Sequence, residues 1–250
     1  MGGSPAGASG GGSPRQALLA LQDEDSAADR LRHRRTRLVE RTMLVELEAR
    51  LGQNAADAAA LDVTRRAHEA RLVHRASQVD ELVGRTTRID DRLRAGEAAS
   101  FRDQEAMATE MGSLGRRRGE LDDEQLVVME ALEELEGQLG GLAREREALG
   151  AEVSAARAAL AAAEMAIDIE IATVAIRRAD CAAGIPPDLL DEYERLRARL
   201  DGVGVARLVN GSCSGCHLAI PAAELDHIRH APAEEVLHCP QCGRILGADS

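Results

Sequence analysis

The sequence predicts a mainly α protein: a long antiparallel coiled-coil helical hairpin followed by a small C-terminal β ribbon organised by four cysteines. Three observations carry that expectation. Apolar residues recur at alternating three- and four-residue steps through both halves of the chain. Aromatic residues make up only 1% of it, although 44% is hydrophobic. Two Cys-x-x-Cys pairs lie near the C-terminus, separated by 22 residues.

Composition bounds the architecture. A thick core in a 250-residue chain would draw on aromatic side chains for buried area, yet this one has Phe101, Tyr193 and no tryptophan. Abundant Ala, Leu, Glu and Arg point instead to long helices packed side by side. All 31 basic residues are Arg, as a GC-rich genome would favour. The formal net charge of −12 argues against a general nucleic-acid coater, whose affinity would come from neutralising phosphates. It leaves a local basic patch open. No apolar run approaches the roughly 20 residues that span a bilayer, so no membrane association is expected. Residues 1–14 are Gly/Ser/Pro/Ala-rich and read as a disordered tail rather than a signal peptide or anchor. The expected location is cytoplasmic, where cysteines in close pairs are metal ligands rather than a disulfide framework.

Residues 15–182 carry the hairpin. In the second arm the stepping runs from Met107 through Leu114, Leu121, Leu135, Leu149 and Val153 to Ile167, with fifteen of eighteen positions apolar. Sustained over that length, a 3.5-residue period means a coiled-coil seam. The first arm repeats it more weakly, from Leu44 to Leu93, with ten of fifteen positions apolar. Leu31, Leu38 and Val45 sit one position out of phase with Leu44 and Leu51, so a kink or change of partner is expected near residues 38–44. After Ile167 the pattern loosens. The turn is expected near 94–100, with Gly96 in a left-handed cap and Ser100 with Asp103 capping the next helix. Arms of similar length joined by a short turn favour an antiparallel intramolecular pair over a parallel dimer of one continuous helix. Asn54, His68 and Arg146 fall on seam positions as register-setting polar residues.

A dense basic run, Arg30 to Arg37, stands out on the first arm, with a shorter one at Arg116–Arg118. Such runs read first as a solvated face with acidic neighbours. If nucleic acid is contacted at all, Arg32, Arg34, Arg35 and Arg37 are the candidates.

Gly184-Ile185-Pro186-Pro187 stops the helix, and residues 183–201 are expected to form a connecting short helix from Pro187. Residues 202–250 form the ribbon, entered by a strand over 202–209. Its four cysteines, Cys213, Cys216, Cys239 and Cys242, have the spacing of a tetrahedral four-thiolate Zn²⁺ site, one ion per chain. Four thiolates leave no open position, so the metal is structural. A redox Cys-x-x-Cys would be single and in a βαβ context, and a rubredoxin-type iron centre is the other alternative. His217 and His238 each adjoin a ligand cysteine and read as surface groups or as supports behind the ligand cysteines; Cys181 reads as a helical cysteine.

With these residues in hand, the chain resembles the bacterial C4-type zinc-ribbon proteins with an N-terminal coiled-coil hairpin, a family described as predicted nucleic-acid-binding. The resemblance is carried by Ile185-Pro186-Pro187-Asp188-Leu189-Leu190, Tyr193-Glu194-Arg195-Leu196-Arg197, Gly202-Val203-Gly204-Val205-Ala206, Cys213-Ser214-Gly215-Cys216 and Cys239-Pro240-Gln241-Cys242-Gly243-Arg244-Ile245-Leu246. It looks closest to the actinobacterial branch. It implies a non-enzymatic protein, and some relatives bind an alternative sigma factor or a flagellar messenger RNA. The family's proline near residues 39–45 of the first arm is missing here.

Three functions compete. A metalloenzyme fails on the closed metal site and on the lack of any nucleophile–base, paired-carboxylate or phosphate-loop constellation. A nucleic-acid module is weakened by the ribbon: from Val203 to Ser250 three arginines face five carboxylates, with no aromatic residue to stack a base. An adaptor for a protein partner, of the transcription or RNA machinery, is the expectation that remains.

Overall fold

A computed structural model describes residues 13–232 and 234–247. The expected tail lies almost wholly outside these residues. Its last two, however, belong to the first helix: Ser13 caps it with Gln16 in a reciprocal capping box, and Pro14 takes the first helical position. The helices are α1 (Pro14–Thr36), α2 (Val39–Arg94), α3 (Phe101–Ala183), α4 (Pro187–Arg199) and α5 (Ala222–His230). The strands are β1 (Val205–Val209), β2 (Ser212–Cys213), β3 (Leu237–His238) and β4 (Ile245–Gly247).

The first arm breaks at Arg37–Leu38, between α1 and α2, at the edge of the interval where the heptad phase shifts. The turn at the other end is a Schellman closure. Gly96 adopts φ 73°, its amide donates to Leu93 O, and the Glu97 amide donates to Arg92 O. Ser100 then accepts from the Asp103 amide and donates to the Asp103 carboxylate, opening α3.

The chain divides into two compact units, residues 42–157 and residues 1–41 with 158–250. In the first, α2 and the N-terminal two thirds of α3 pair antiparallel. Every α2 seam position from Leu44 to Leu93 is buried or half-buried. So is every α3 seam position from Met107 to Ile167 except Arg118 and Arg146, which project into solvent rather than setting register. Asn54 does set register: its amide donates to Leu142 O at 3.2 Å and to Glu145 Oε2 at 3.1 Å.

The second unit is a three-layer assembly. Here the α3 repeat does not loosen after Ile167 but continues through Ile171, Val174, Arg178 and Cys181, and Ile185 just past the helix end keeps the step, all buried or half-buried. Arg178 at one of these five positions interrupts the apolar run. α1 packs on this stretch, on α4 and on the sheet. The strand order is β2-β1-β4-β3, with β1 and β4 parallel and the outer pairs antiparallel. Leu18, Leu19, Leu21, Ile185, Leu189, Tyr193, Leu196, Val205 and Ile245 form one buried core. The N-terminal helix, the connecting helix and the ribbon therefore share a hydrophobic centre; the ribbon does not stand alone. Gly247 shows how close the approach is, since any Cβ there would overlap the Leu19 side chain.

Candidate metal centre

Each Cys-x-x-Cys pair forms the same turn. The amide of the residue after the second cysteine donates to the carbonyl of the first: His217 N to Cys213 O and Gly243 N to Cys239 O, both at 2.8 Å. Both closing residues are left-handed, His217 at φ 59° and Gly243 at φ 74°. The turn aims both sulfurs of a pair to one side. β1 and β4 hold the two turns face to face, because Ser214 N donates to Arg207 O on β1 and Cys239 N donates to Arg244 O just before β4.

All four Sγ atoms lie within 4.8 Å of one another, with Cys213–Cys242 at 4.0 Å and Cys216–Cys239 at 3.9 Å. A tetrahedron of Zn–S bonds near 2.3 Å sets its sulfurs about 3.8 Å apart, so the donor set fits Zn²⁺. A second cluster surrounds it: Ala206, Leu208, Ile220, Leu237 and Leu246 pack with the buried Cys213 and Cys239. Burial pushes the Cys213 thiol up and the Cys239 thiol up to about 12. Burial also opposes ionisation of Cys242, but hydrogen bonds from the Arg244 amide and side chain and from neighbouring thiols bring it down to about 7. The amides of Gly215 and Cys216 favour the Cys213 thiolate, and those of Gln241 and Cys242 favour that of Cys239. Turn amides thus supply the outer hydrogen bonds that orient and stabilise metal-bound thiolates. All four coordination positions are protein sulfurs, which makes the centre structural.

The structure places the other candidates away from the metal. His217 is exposed on its left-handed backbone, and His238 pairs with Glu192 of α4 at 2.8 Å. Cys181 is half-buried against the shared core. Arg32, Arg34, Arg35 and Arg37 lie on α1, and three of them are engaged: Arg32 with Asp29, Arg34 with Glu170, and Arg35 with Asp168 and Glu164. Arg37 is exposed.

Sequence reasoning missed the residues that lock the ribbon in place. Gln22 Oε1 accepts the amides of Gly204 at 2.7 Å and Val205 at 3.2 Å, while its Nε2 donates to Gly202 O at 2.9 Å. Asp25, with 4% side-chain exposure, accepts from Tyr193 Oη at 2.6 Å and Arg178 Nε at 2.7 Å, with Arg197 Nε at 3.5 Å. Burial and the Asp25 carboxylate both push the Tyr193 hydroxyl up, so it stays protonated and donating. Arg244 donates from its guanidinium to Val203 O and Leu200 O, both at 2.9 Å, tying the second turn to the end of α4. The one available signal was Gln22 and Asp25 on the α1 face that also carries Leu18 and Leu21.

A long helical hairpin and a closed four-cysteine ribbon in one chain define a class of coiled-coil zinc-ribbon proteins. Residues 21–201 match the CT398-like coiled coil hairpin domain and residues 212–246 the C4-type zinc ribbon domain, and the chain belongs to the CT398-like family. An uncharacterized protein of Mycobacterium tuberculosis is 33% identical over 233 residues, covering 92% of this chain and 94% of the relative. Among solved structures, a Mycobacterium smegmatis protein is 29% identical with a TM-score of 0.83, covering 94% of this chain and 97% of its own. CT398 from Chlamydia trachomatis, 19% identical, shares the fold with a TM-score of 0.73 over 94% of this chain and 98% of its own. These relatives place the chain with actinobacterial members, as the sequence resemblance implies. Neither matched domain is an enzyme family. No helix among the described residues is long and apolar enough to cross a membrane.

Proposed function

We propose that the protein is a non-enzymatic cytoplasmic adaptor, whose hairpin and ribbon present surfaces to a protein partner of the transcription or RNA machinery. The observation that carries this reading is the state of the arginine run. Arg32, Arg34 and Arg35 already face carboxylates, so phosphate would have to compete with Asp29, Glu170, Asp168 and Glu164 for them. The metal serves the fold, and the ribbon is acidic and free of aromatic residues. Large apolar side chains meanwhile stay exposed along the helices, Val63, Val73, Leu126 and Val127 among them, and such surface is the raw material of protein interfaces.

The test is capture by the zinc-loaded full chain with mass spectrometry, run beside fluorescence anisotropy with RNA and DNA. The expected result is a protein partner retained at stoichiometric level and no nucleic-acid binding at physiological salt. Micromolar RNA or DNA binding that disappears when Arg32, Arg34, Arg35 and Arg37 become Gln would establish the nucleic-acid reading instead. An isolated ribbon is the wrong reagent, because its core is completed by α1 and α4.

A further inference from the structure

We propose that the groove between α1 and the C-terminal stretch of α3 docks an acidic amphipathic helix of the partner protein. The inference rests on the adaptor reading and names the surface and the partner's chemistry. The groove has a volume near 560 Å³. Its apolar lining comes from Ala27 and Leu31 of α1 and Ile169 and Val174 of α3. Its rim is basic, from Arg30, Arg34 and Arg177 against one lining carboxylate, Glu170.

Length and spacing favour a helix as occupant. Ile169 in the groove is 63% exposed, and Met165 and Ile176, outside its lining, are each 65% exposed. Their spacing of four and seven residues puts them on one face of α3. That strip is on the order of 16 Å long at 1.5 Å per residue, about three helical turns. An amphipathic partner helix with apolar residues at i, i+4, i+7 and i+11 presents a matching stripe.

Charge favours an acidic one. Arg34 engages Glu170, and Arg177 engages Glu24 at 2.9 Å, yet among the described residues no carboxylate lies within ion-pair range of Arg30. With Glu170 and Glu24 counted, the groove keeps one net positive charge, on Arg30, in a chain of net charge −12, and that charge favours an acidic segment at this face. A second copy of the chain is a poorer occupant, because a two-fold contact would set the same guanidinium groups against each other. Nucleic acid is poorer too: the groove has no aromatic side chain to stack a base, and phosphates gain nothing from Ile169 and Leu31.

The probe is a fluorescein-labelled peptide of about 18 residues, enough to cover the strip as a helix, with Leu on the i, i+4, i+7, i+11 face and Glu and Ala elsewhere. A peptide with Lys for Glu and a single-stranded RNA run beside it, all titrated into the zinc-loaded full chain. The acidic peptide is expected to bind with a micromolar Kd that weakens with salt, and the Lys peptide at least about tenfold more weakly. Ile169→Glu and Arg30→Glu should each weaken the acidic peptide about tenfold or more. Both side chains are exposed, so circular dichroism and zinc content should stay unchanged, and Arg102→Glu at the hairpin turn should leave binding intact. Absence of binding, equal binding of the Lys peptide, or indifference to Ile169→Glu overturns the proposal, as does RNA binding that Arg30→Glu abolishes. A cellular partner that the Ile169→Glu/Arg30→Glu chain still captures overturns the groove and leaves the adaptor standing. Capture of no protein by the wild-type chain overturns the adaptor reading itself.

Discussion

The hairpin unit and the metal-bearing unit share α3 but are built by different physics. In residues 42–157 two helices face each other across one seam, and each side chain meets a single partner helix. Burial there is shallow: along the whole of α2 only Asn54 and Ile89 are fully buried. The polar contacts across this seam, such as Arg75–Glu124, Arg85–Glu110 and Arg157–Glu48, are largely open to water. Exposed pairs of that kind contribute about 0–1 kcal/mol each. In residues 1–41 with 158–250, α1 is clasped by α3, α4 and the sheet, so Gln22 and Asp25 on its packed face are buried and must be hydrogen-bonded. Gln22 and Asp25 act there as substitutes for backbone and charge partners. A third layer, more than any change in composition, separates a periodic surface from a specific core.

Metal removal tests this contrast most severely. A structural four-thiolate zinc contributes on the order of 10 kcal/mol to the fold it closes. The site shares a sheet with the core around Leu18 and Ile245, so chelation should strip hydrogen-exchange protection from α1 residues 18–28 as well as from the ribbon. Amides of α2 between residues 44 and 93 should keep theirs. Cys239→Ser should reproduce the pattern, with elemental analysis falling from one zinc per chain to none. Retained protection in α1 would mean that the ribbon folds apart from it.

Asp25→Ala should come next. It leaves the part-buried Arg178 and Arg197 without their carboxylate and Tyr193 without its acceptor. Breaking a buried pair in this way costs about 3–5 kcal/mol, to be read from global unfolding of the zinc-loaded protein and from exchange in α1. Gly247→Ala should cost about 1–3 kcal/mol by overpacking against Leu19, while substitutions of exposed hairpin glycines such as Gly52, which meet nothing, should not.

In the hairpin, Asn54→Leu is expected to raise stability by about 1 kcal/mol, because the buried Asn54 Oδ1 has no partner among the described residues. A loss of stability would show that the bonds to Leu142 O and Glu145 outweigh that orphaned oxygen. Smallest of all, Glu48→Ala should change stability by about 0.5 kcal/mol or less. Placed beside Asp25→Ala, it isolates what burial adds to the same charge.

Much of this was legible in the linear pattern. The seam from Met107 to Ile167 and its weaker copy from Leu44 to Leu93 come down on buried or half-buried positions with two exceptions. The Gly96 turn, the Pro187 helix and the four ligands of the metal follow from local rules of capping and coordination. Less legible was the end of α3, where Arg178 occupies a seam position that a hydrophobic count rejects. α5 also went unseen, since its nine residues carry only a short apolar face, Leu225 and Ile228, on the ribbon.

By itself the sequence determined whatever is periodic or local: a two-helix seam needs only the right residue every three or four steps, and a tetrahedral ion needs only four thiolates in two tight turns. Only the tertiary structure decided that the first helix belongs to the ribbon, that Gln22 hydrogen-bonds the entry to β1, and that Asp25 neutralises arginines from α3 and α4. Those contacts join residues separated by some 150 positions or more. Their side chains look like ordinary solvated polar groups until the chain returns to bury them. A lone Gln or Asp on a helix has no period to betray it, and its energetic weight appears only when water has been excluded around it.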